Sequence, residues 1–189
     1  MKYIKQLDSL RAIAVTFVVF GHYFPSFYIW KYFPIGSIGV DLFFVLSGFL
    51  ITNILINQRE LNDSFKYTKL RIISNFYLRR ILRIFPIYYL FVIFVYLFSS
   101  IVQANVHSAL PYLLTYTVNI YFFKKQGFSG EISHLWTLAV EEQFYLIWPW
   151  IVLFTKKYFL LYIIIFFILI GVIGKILMVN NPMGGVFNF

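Results

Sequence analysis

Apolar residues fall into six segments along the chain. They run over residues 10–30, 38–56, 81–102, 109–123, 135–154 and 158–179, and the fourth is short and weak. A helix needs about 20 apolar residues to cross a bilayer, and lipid offers the backbone no hydrogen-bond partners, so these segments predict membrane-spanning helices. Aromatic pairs near segment ends, Tyr28 with Trp30 and Trp148 with Trp150, suit the interfacial belts of such helices. The expected fold is all-α, a polytopic helical membrane protein with about six transmembrane helices. No internal repeat and no low-complexity linker breaks the pattern.

Composition supports this class. Hydrophobic residues make up 61% of the chain and charged residues 12%. Soluble domains carry about 25% charged residues, so this chain has too few to cover a water-facing surface. The absence of cysteine excludes a disulfide framework, thiolate metal sites and a cysteine nucleophile, and no metal site is expected. The opening MKYIKQLDSLRAIAVTFVVF has the charged-then-apolar order of a signal peptide. It lacks a small-residue cleavage site and its apolar run continues, so it reads as a retained first helix. The net charge of +9 does not point to nucleic acid, because the basic residues sit at helix ends and in loops. The expected partner is the lipid bilayer.

Charge sets the expected orientation. Lys2 and Lys5 precede the first span, and the link 57–80 carries Arg59, Lys66, Lys69, Arg71, Arg79 and Arg80. These belong in the cytoplasm. The links 31–37 and 103–108, with one lysine and none, fit the outside. The expectation is a multi-pass protein of the bacterial inner (cell) membrane, with a cytoplasmic N-terminus. One conflict stands. Lys124 and Lys125 fit the cytoplasm after four crossings, but Lys156 and Lys157 then fall outside. Either that pair is tolerated, or the fourth or fifth segment does not cross fully.

Polar residues inside the spans carry the candidate chemistry. Arg11 and His22 lie eleven positions apart. At about 100° per residue this is about 20° beyond three turns, so both lie on one helix face, separated by about 16 Å along the axis. Asp8 stands one turn before Arg11 and is placed to pair with it. Arg11 reads either as a snorkelling anchor or as part of a site, and His22 as a packing residue or a general base. Intramembrane ionisable groups are functional candidates because burying them is costly. Asp41 opens the second span, where it either caps the helix or orients His22. Gly36, Gly39 and Gly48 suit close helix packing.

Further on, FYLRRILRIFP places Arg79, Arg80 and Arg83 where the third span begins, with Arg80 and Arg83 one turn apart. Guanidinium groups grip phosphates, so a phosphorylated ligand or lipid headgroups fit there. Pro86 is expected to kink the helix just beyond. In SHLWTLAVEEQFYLIWPW, Glu141 and Glu142 lie inside an apolar span, pointing about 100° apart, and Tyr145 shares the face of Glu141. A structural bridge to an arginine of the third span is the alternative to a functional role. His134 reads as interfacial, and His107 is assigned no role.

Together LDSLRAIAVTFVVFGH, GVDLFFVLSGFLIT, RRILRIFP and LWTLAVEEQFYLIWP, in this order, resemble the acyltransferase family 3 membrane proteins, which include bacterial polysaccharide O-acetyltransferases. The resemblance covers residues 1 to about 155. It implies an enzyme, an acyltransferase acting on groups other than amino-acyl. Such an enzyme moves an acyl group, usually acetyl, from cytosolic acyl-CoA (acetyl-CoA) to a hydroxyl of a glycan, lipid-linked sugar or other extracytoplasmic acceptor. Carried over from the family, Arg11 and His22 are needed for activity, Arg80 and Arg83 match the third-helix motif, and Glu141 best matches the motif glutamate. Acyl-CoA is the donor substrate. Arg11, Arg80 and Arg83 would hold its phosphates, His22 would act as base and Asp41 would steady it, while Glu141 would orient His22, bind the acceptor or organise the helices. Family members have about ten transmembrane helices, so residues 1–189 are expected to form a single integral-membrane acyltransferase domain truncated at its C-terminus. The alternatives are a transporter or flippase using the same polar cavity, which predicts half-helices and internal pseudo-symmetry, and an inactive fragment with unpartnered buried charges.

Overall fold

A computed structural model describes residues 5–24, 35–65, 68–99, 106–125, 127 and 132–179. These form seven helices and no strand: α1 (Lys5–Tyr23), α2 (Ile35–Phe65), α3 (Lys69–Leu97), α4 (Val106–Leu114), α5 (Val118–Lys125), α6 (Leu135–Phe154) and α7 (Lys157–Val179). By length and composition α2, α3 and α7 are able to cross a membrane. Helices α1 and α6 have 19 and 20 residues but carry Lys5, Asp8 and Arg11, and Glu141 and Glu142, respectively. Tyr28 and Trp30 lie outside the described residues.

The α1–α2 pair is the most extensive helix contact in the fold. The two helices run antiparallel, with Gly21 against Gly36 and Gly39 against Ala14, Phe17 and Val18. A Cβ on Gly39 would sit 2.7 Å from the Ala14 carbonyl oxygen and 2.9 Å from Phe17 Cβ, so only glycine permits this approach. The remaining long helices interlock through α6. Alongside α2 it runs parallel: Trp148 Nε1 donates to Thr52 Oγ1 at 2.7 Å, and Arg59 Nη1 donates to the Val152 and Thr155 carbonyls at 3.0 and 2.6 Å. Against α3 it runs antiparallel, with Tyr77 donating to the Leu146 carbonyl at 2.6 Å and Trp150 Nε1 donating to Tyr77 at 2.9 Å. Trp148 is therefore a buried packing residue and not part of an interfacial belt.

The polar link expected at 57–80 is largely helical. No Gly or Pro occurs between residues 49 and 85, and Ile72, Ile73 and Phe76 recur at helical spacing. They bury against Leu55, Val152, Leu153 and Leu160, so α3 starts at Lys69 and runs on through Pro86.

The fourth apolar segment does not span. It breaks into α4 and α5, of nine and eight residues, which form an antiparallel hairpin. Near the C-terminal end of α3, Tyr96 packs edge-on against His107 at 5.1 Å. From there α4 descends toward mid-bundle, where Tyr88 donates to the Leu113 carbonyl at 2.7 Å. The chain turns at Thr115–Thr117 and α5 returns, with Tyr121 hydrogen-bonded to Ser108 at 2.7 Å. Bonds from the Thr117 amide to the Tyr112 carbonyl (2.8 Å) and from the Tyr116 amide to the Leu113 carbonyl (3.3 Å) close the end of α4. This is the Schellman pattern, which requires a left-handed residue. That residue is Tyr116, at φ 53°.

The hairpin moves the charge conflict from one lysine pair to the other. Glu60 of α2 pairs with Lys157 of α7, so Lys156 and Lys157 join the end of the bundle that carries Arg59 and Lys69. Lys124 and Lys125 lie at the opposite end, where α5 returns beside α4.

Candidate functional site

Midway along the bundle, charged and hydroxyl groups from four helices meet at one level. Tyr145 of α6 is their centre and is itself buried. Its hydroxyl donates to Glu141 Oε2 at 3.1 Å, as the i, i+4 spacing predicts, and lies near the buried Ser47 of α2. Its ring face receives the Arg80 guanidinium of α3, 3.8 Å from the centroid. Cation–π contact of this kind strengthens as water is removed. Glu141 is 9% exposed and lies within the fields of both Arg80 and Arg11. On the other side Glu142 also lies within the field of Arg80. The 100° step between the two glutamates is thus spanned by one long cationic side chain entering between helices. The salt bridge of the structural alternative is not formed among the described residues: Arg80 lies in the field of both carboxylates but its close contacts are the Tyr145 and Phe76 rings.

Four polar atoms of this layer are buried without a hydrogen-bond partner: Arg11 Nε, Glu141 Oε1, Glu142 Oε1 and Tyr116 Oη. Native interiors leave few such atoms, since each costs about 1–3 kcal/mol.

Each remaining sequence candidate has a definite place. Arg11 is half-buried, with its Nη1 4.0 Å from Asp8 Oδ1, in the pairing the sequence suggests. His22 lies in the last turn of α1, about 16 Å of helix rise beyond Arg11; its side chain lies outside the described residues. Asp41 is exposed. The α1–α2 register sets it level with the middle of α1, roughly two turns below His22. Arg83 is exposed on α3 and does not join Arg80 at the layer. His134 packs near Phe91, with ring centroids 6.0 Å apart, at the start of α6.

Sequence reading missed Tyr116 and the role of Tyr145 as bridge. The first had no signal beyond an aromatic residue between two threonines. The second was visible only as a shared face.

A cavity of about 590 Å³ lies elsewhere, between α2, α6 and α7. Its described lining, including Phe49, Phe144, Trp148 and Phe167, is apolar apart from Thr52 and Gln143. None of Arg11, Arg80 and Glu141 is among its described lining residues. No described group of side chains has the make-up of a metal site.

Sequence similarity to known proteins gives the family. The chain is similar to a peptidoglycan O-acetyltransferase of Listeria monocytogenes, 37% identical over 159 residues that cover 78% of this chain and 24% of that protein. A candidate peptidoglycan O-acetyltransferase of Bacillus subtilis is 38% identical over 161 residues, covering 78% of this chain and 23% of its own length. A candidate O-acetyltransferase of Staphylococcus aureus is 29% identical over 160 residues, covering 79% and 24%. The chain thus spans about a quarter of the length of the curated relatives it matches. No solved structure matches. The sequence model of the acyltransferase domain matches residues 4–189, and with its helical bundle and buried charge layer this chain belongs to the acyltransferase family 3.

Proposed function

We propose that this chain forms the membrane core of an O-acetyltransferase. It takes an acyl group, acetyl by analogy with its relatives' names, from acyl-CoA. It passes the group to a hydroxyl of a glycan on the other side of the membrane, with peptidoglycan or a lipid-linked sugar as the acceptor class. The observation that carries this reading is the layer in which the half-buried Arg11 and Arg80 meet the buried Glu141 and Tyr145, level with the middle of the bundle.

A thioester donor has a phosphate-rich head, a long thin arm and a reactive end. The end of the bundle that gathers Arg59, Lys69 and Lys157 would face the cytoplasm by the positive-inside rule. The donor enters there. Arg80 meets its phosphates and Arg11 meets the arm at the charge layer, while Arg83, exposed on α3, would have to turn inward to join them. The rise of about 16 Å from Arg11 to His22 matches the arm's length, so the thioester reaches His22. As the acceptor oxygen attacks the thioester carbonyl, His22 takes its proton. The new ester C–O bond forms, the C–S bond breaks, and the thiolate leaves with the proton from His22. Glu141 holds Arg11 and Arg80 in place through its field. Asp41 would have to reach across about two turns to steady His22.

A transporter would also use half-helices at mid-bundle, and the α4–α5 hairpin resembles one. The described helices contain no second hairpin to form a pseudo-symmetric pair, and the family match favours the transferase.

Transfer of label from [acetyl]-CoA to cell-wall glycan in membranes carrying the full chain tests the reading. His22→Ala should remove product while the protein still inserts. Undiminished transfer by His22→Ala would remove His22 from the mechanism.

A further inference from the structure

The cavity between α2, α6 and α7 stands apart from the charge layer. Trp148 and Phe144 form its floor, with ring centroids 5.1 Å apart and planes inclined by 25°. Phe49, Ile147, Phe167 and Ile168 form its rim, and each is about half exposed. Helix α7 meets the bundle near its start, where Leu160 is buried with Val152 and Leu153. From there toward mid-bundle a groove lies between α7 and the α2–α6 pair, open on the side where the rim is exposed.

The two polar lining residues are turned to the protein. Thr52 Oγ1 donates to the Gly48 carbonyl and accepts from Trp148 Nε1, both at 2.7 Å. Gln143 exchanges hydrogen bonds with Asn119 at 3.0 and 3.1 Å and donates to the Tyr116 carbonyl at 2.8 Å. The groove thus offers a ligand apolar surface alone. Water finds no partner there, and an empty void of about 590 Å³ would forfeit dispersion contacts along every wall. Around a membrane helix such as α7 the medium is lipid, so the groove fills from the bilayer.

Length and charge select the occupant. On α6 the lining runs over residues 143–151, about 12 Å of rise, from the level of the charge layer toward the Lys157 end. One leaflet contributes about 15 Å of the apolar core, so the groove has the length of one acyl chain from that leaflet. A polyprenyl chain running through both leaflets would need a track that continues past Gln143. Beyond Ile151, at the corner between α6 and α7, stands Lys156. It is exposed and forms no ion pair among the described residues, whereas Lys157 pairs with Glu60. A free cation beside the bilayer surface attracts anionic headgroups.

We propose that this groove is a lipid site, which takes one acyl chain of an anionic phospholipid from the leaflet at the Lys156 end and its phosphate at Lys156. The chain fills the gap beneath α7 and seats that helix on the bundle. It also backs the part of α6 that carries the charge layer, where Phe144 packs edge-on against Tyr145 at 5.9 Å. Lipid binding here is independent of the acyl donor.

Gly48 supplies the test. A Cβ there has only Phe144 Cζ within 4 Å, at 3.9 Å, so a larger side chain enters the groove without meeting backbone. Gly48→Leu fills the groove from α2. Ile168→Trp fills it from α7, at a position 58% exposed and away from the bundle core, and suffices if the first variant does not fold. Phe166→Trp, outside the described lining, is the control. Thermal unfolding of the delipidated full chain in neutral micelles is followed as phosphatidylglycerol is added, since a ligand of the folded state raises the midpoint with its concentration. Wild type and Phe166→Trp should respond alike, and the groove variants should need at least about 10-fold more lipid for the same rise. Phosphatidylcholine with the same chains should be about 5-fold weaker on wild type, and Lys156→Gln should remove that preference. Equal stabilisation of wild type and both groove variants would show lipid acting only as solvent and overturn the proposal. So would a wild type that phosphatidylglycerol does not stabilise, the result expected if protein covers the groove. Equal potency of the two lipids on wild type would overturn the placement of an anionic head at Lys156.

Discussion

Helices α6 and α7 follow each other in the chain, have 20 and 23 residues, and look alike as apolar segments. Their surroundings differ sharply. Helix α6 buries Leu135, Ala139, Glu141, Tyr145, Trp148, Val152 and Leu153 against α2, α3 and the hairpin. Helix α7 buries Leu160 in its first turn and leaves most of its length exposed, Ile165, Phe166, Ile168 and Ile176 included. The less apolar helix is the better packed one. In lipid, apolar side chains gain little by leaving the bilayer for another helix, so packing is held by small residues and polar contacts instead. Charge inside a span therefore marks where the protein has built a polar interior, and α6 holds the site for the same reason that it holds the bundle.

Substitutions sharpen that contrast, and the largest effects should fall on the helices that carry polar or glycine contacts. Gly39→Leu should abolish transfer and stable insertion, because even a Cβ there meets the Ala14 carbonyl oxygen at 2.7 Å. Protease resistance of the inserted protein reads this out. Tyr145→Leu removes the Glu141 hydrogen bond and the Arg80 ring contact together, and should destabilise by about 3 kcal/mol. Tyr145→Phe keeps the ring contact and should cost about 1 kcal/mol. Unfolding midpoints in micelles separate the two, and equal midpoints would refute the bridging role of Tyr145. Arg59→Ala breaks the two bonds to the end of α6 and should cost about 2 kcal/mol without changing donor KM. On α7, Phe166→Ala, at a position 58% exposed, should change stability by less than about 0.5 kcal/mol. A cost there comparable to that at Tyr145 would erase the contrast.

Much of this was legible in the sequence. Helices α6 and α7 match the fifth and sixth apolar segments, because each is bounded by charge and polar residues. The Asp8–Arg11 and Glu141–Tyr145 contacts follow from helical spacing alone. What escaped depends on contacts distant in sequence. The helical extension of α2 and α3 through the basic link is stabilised by Ile72, Ile73 and Phe76 meeting α6 residues some 80 positions away. The hairpin was hidden because its break, Thr115–Thr117, has no Gly or Pro. The left-handed turn falls on Tyr116, held by tertiary stacking against Phe85 and Tyr88. Only the length of the fourth segment and the Lys156–Lys157 pair, which four full crossings would leave outside, hinted at it. The lesson for the site is similar. Arg80 and Arg83 share a motif, yet one turns inward to Tyr145 and the other stays exposed, which no spacing argument decides.

The central claim is transfer through the bundle, from the Lys157 end to the His22 end. Sealed vesicles carrying the full chain test it most directly. Their orientation can be fixed by thiol labelling of Lys157→Cys, since the native chain has no cysteine. Labelled acetyl-CoA supplied only at the face bearing residue 157 should yield acetylated glycan at the opposite face, and none when the donor is supplied from the other side. Product formed only when donor and acceptor share the face bearing His22 would contradict the account.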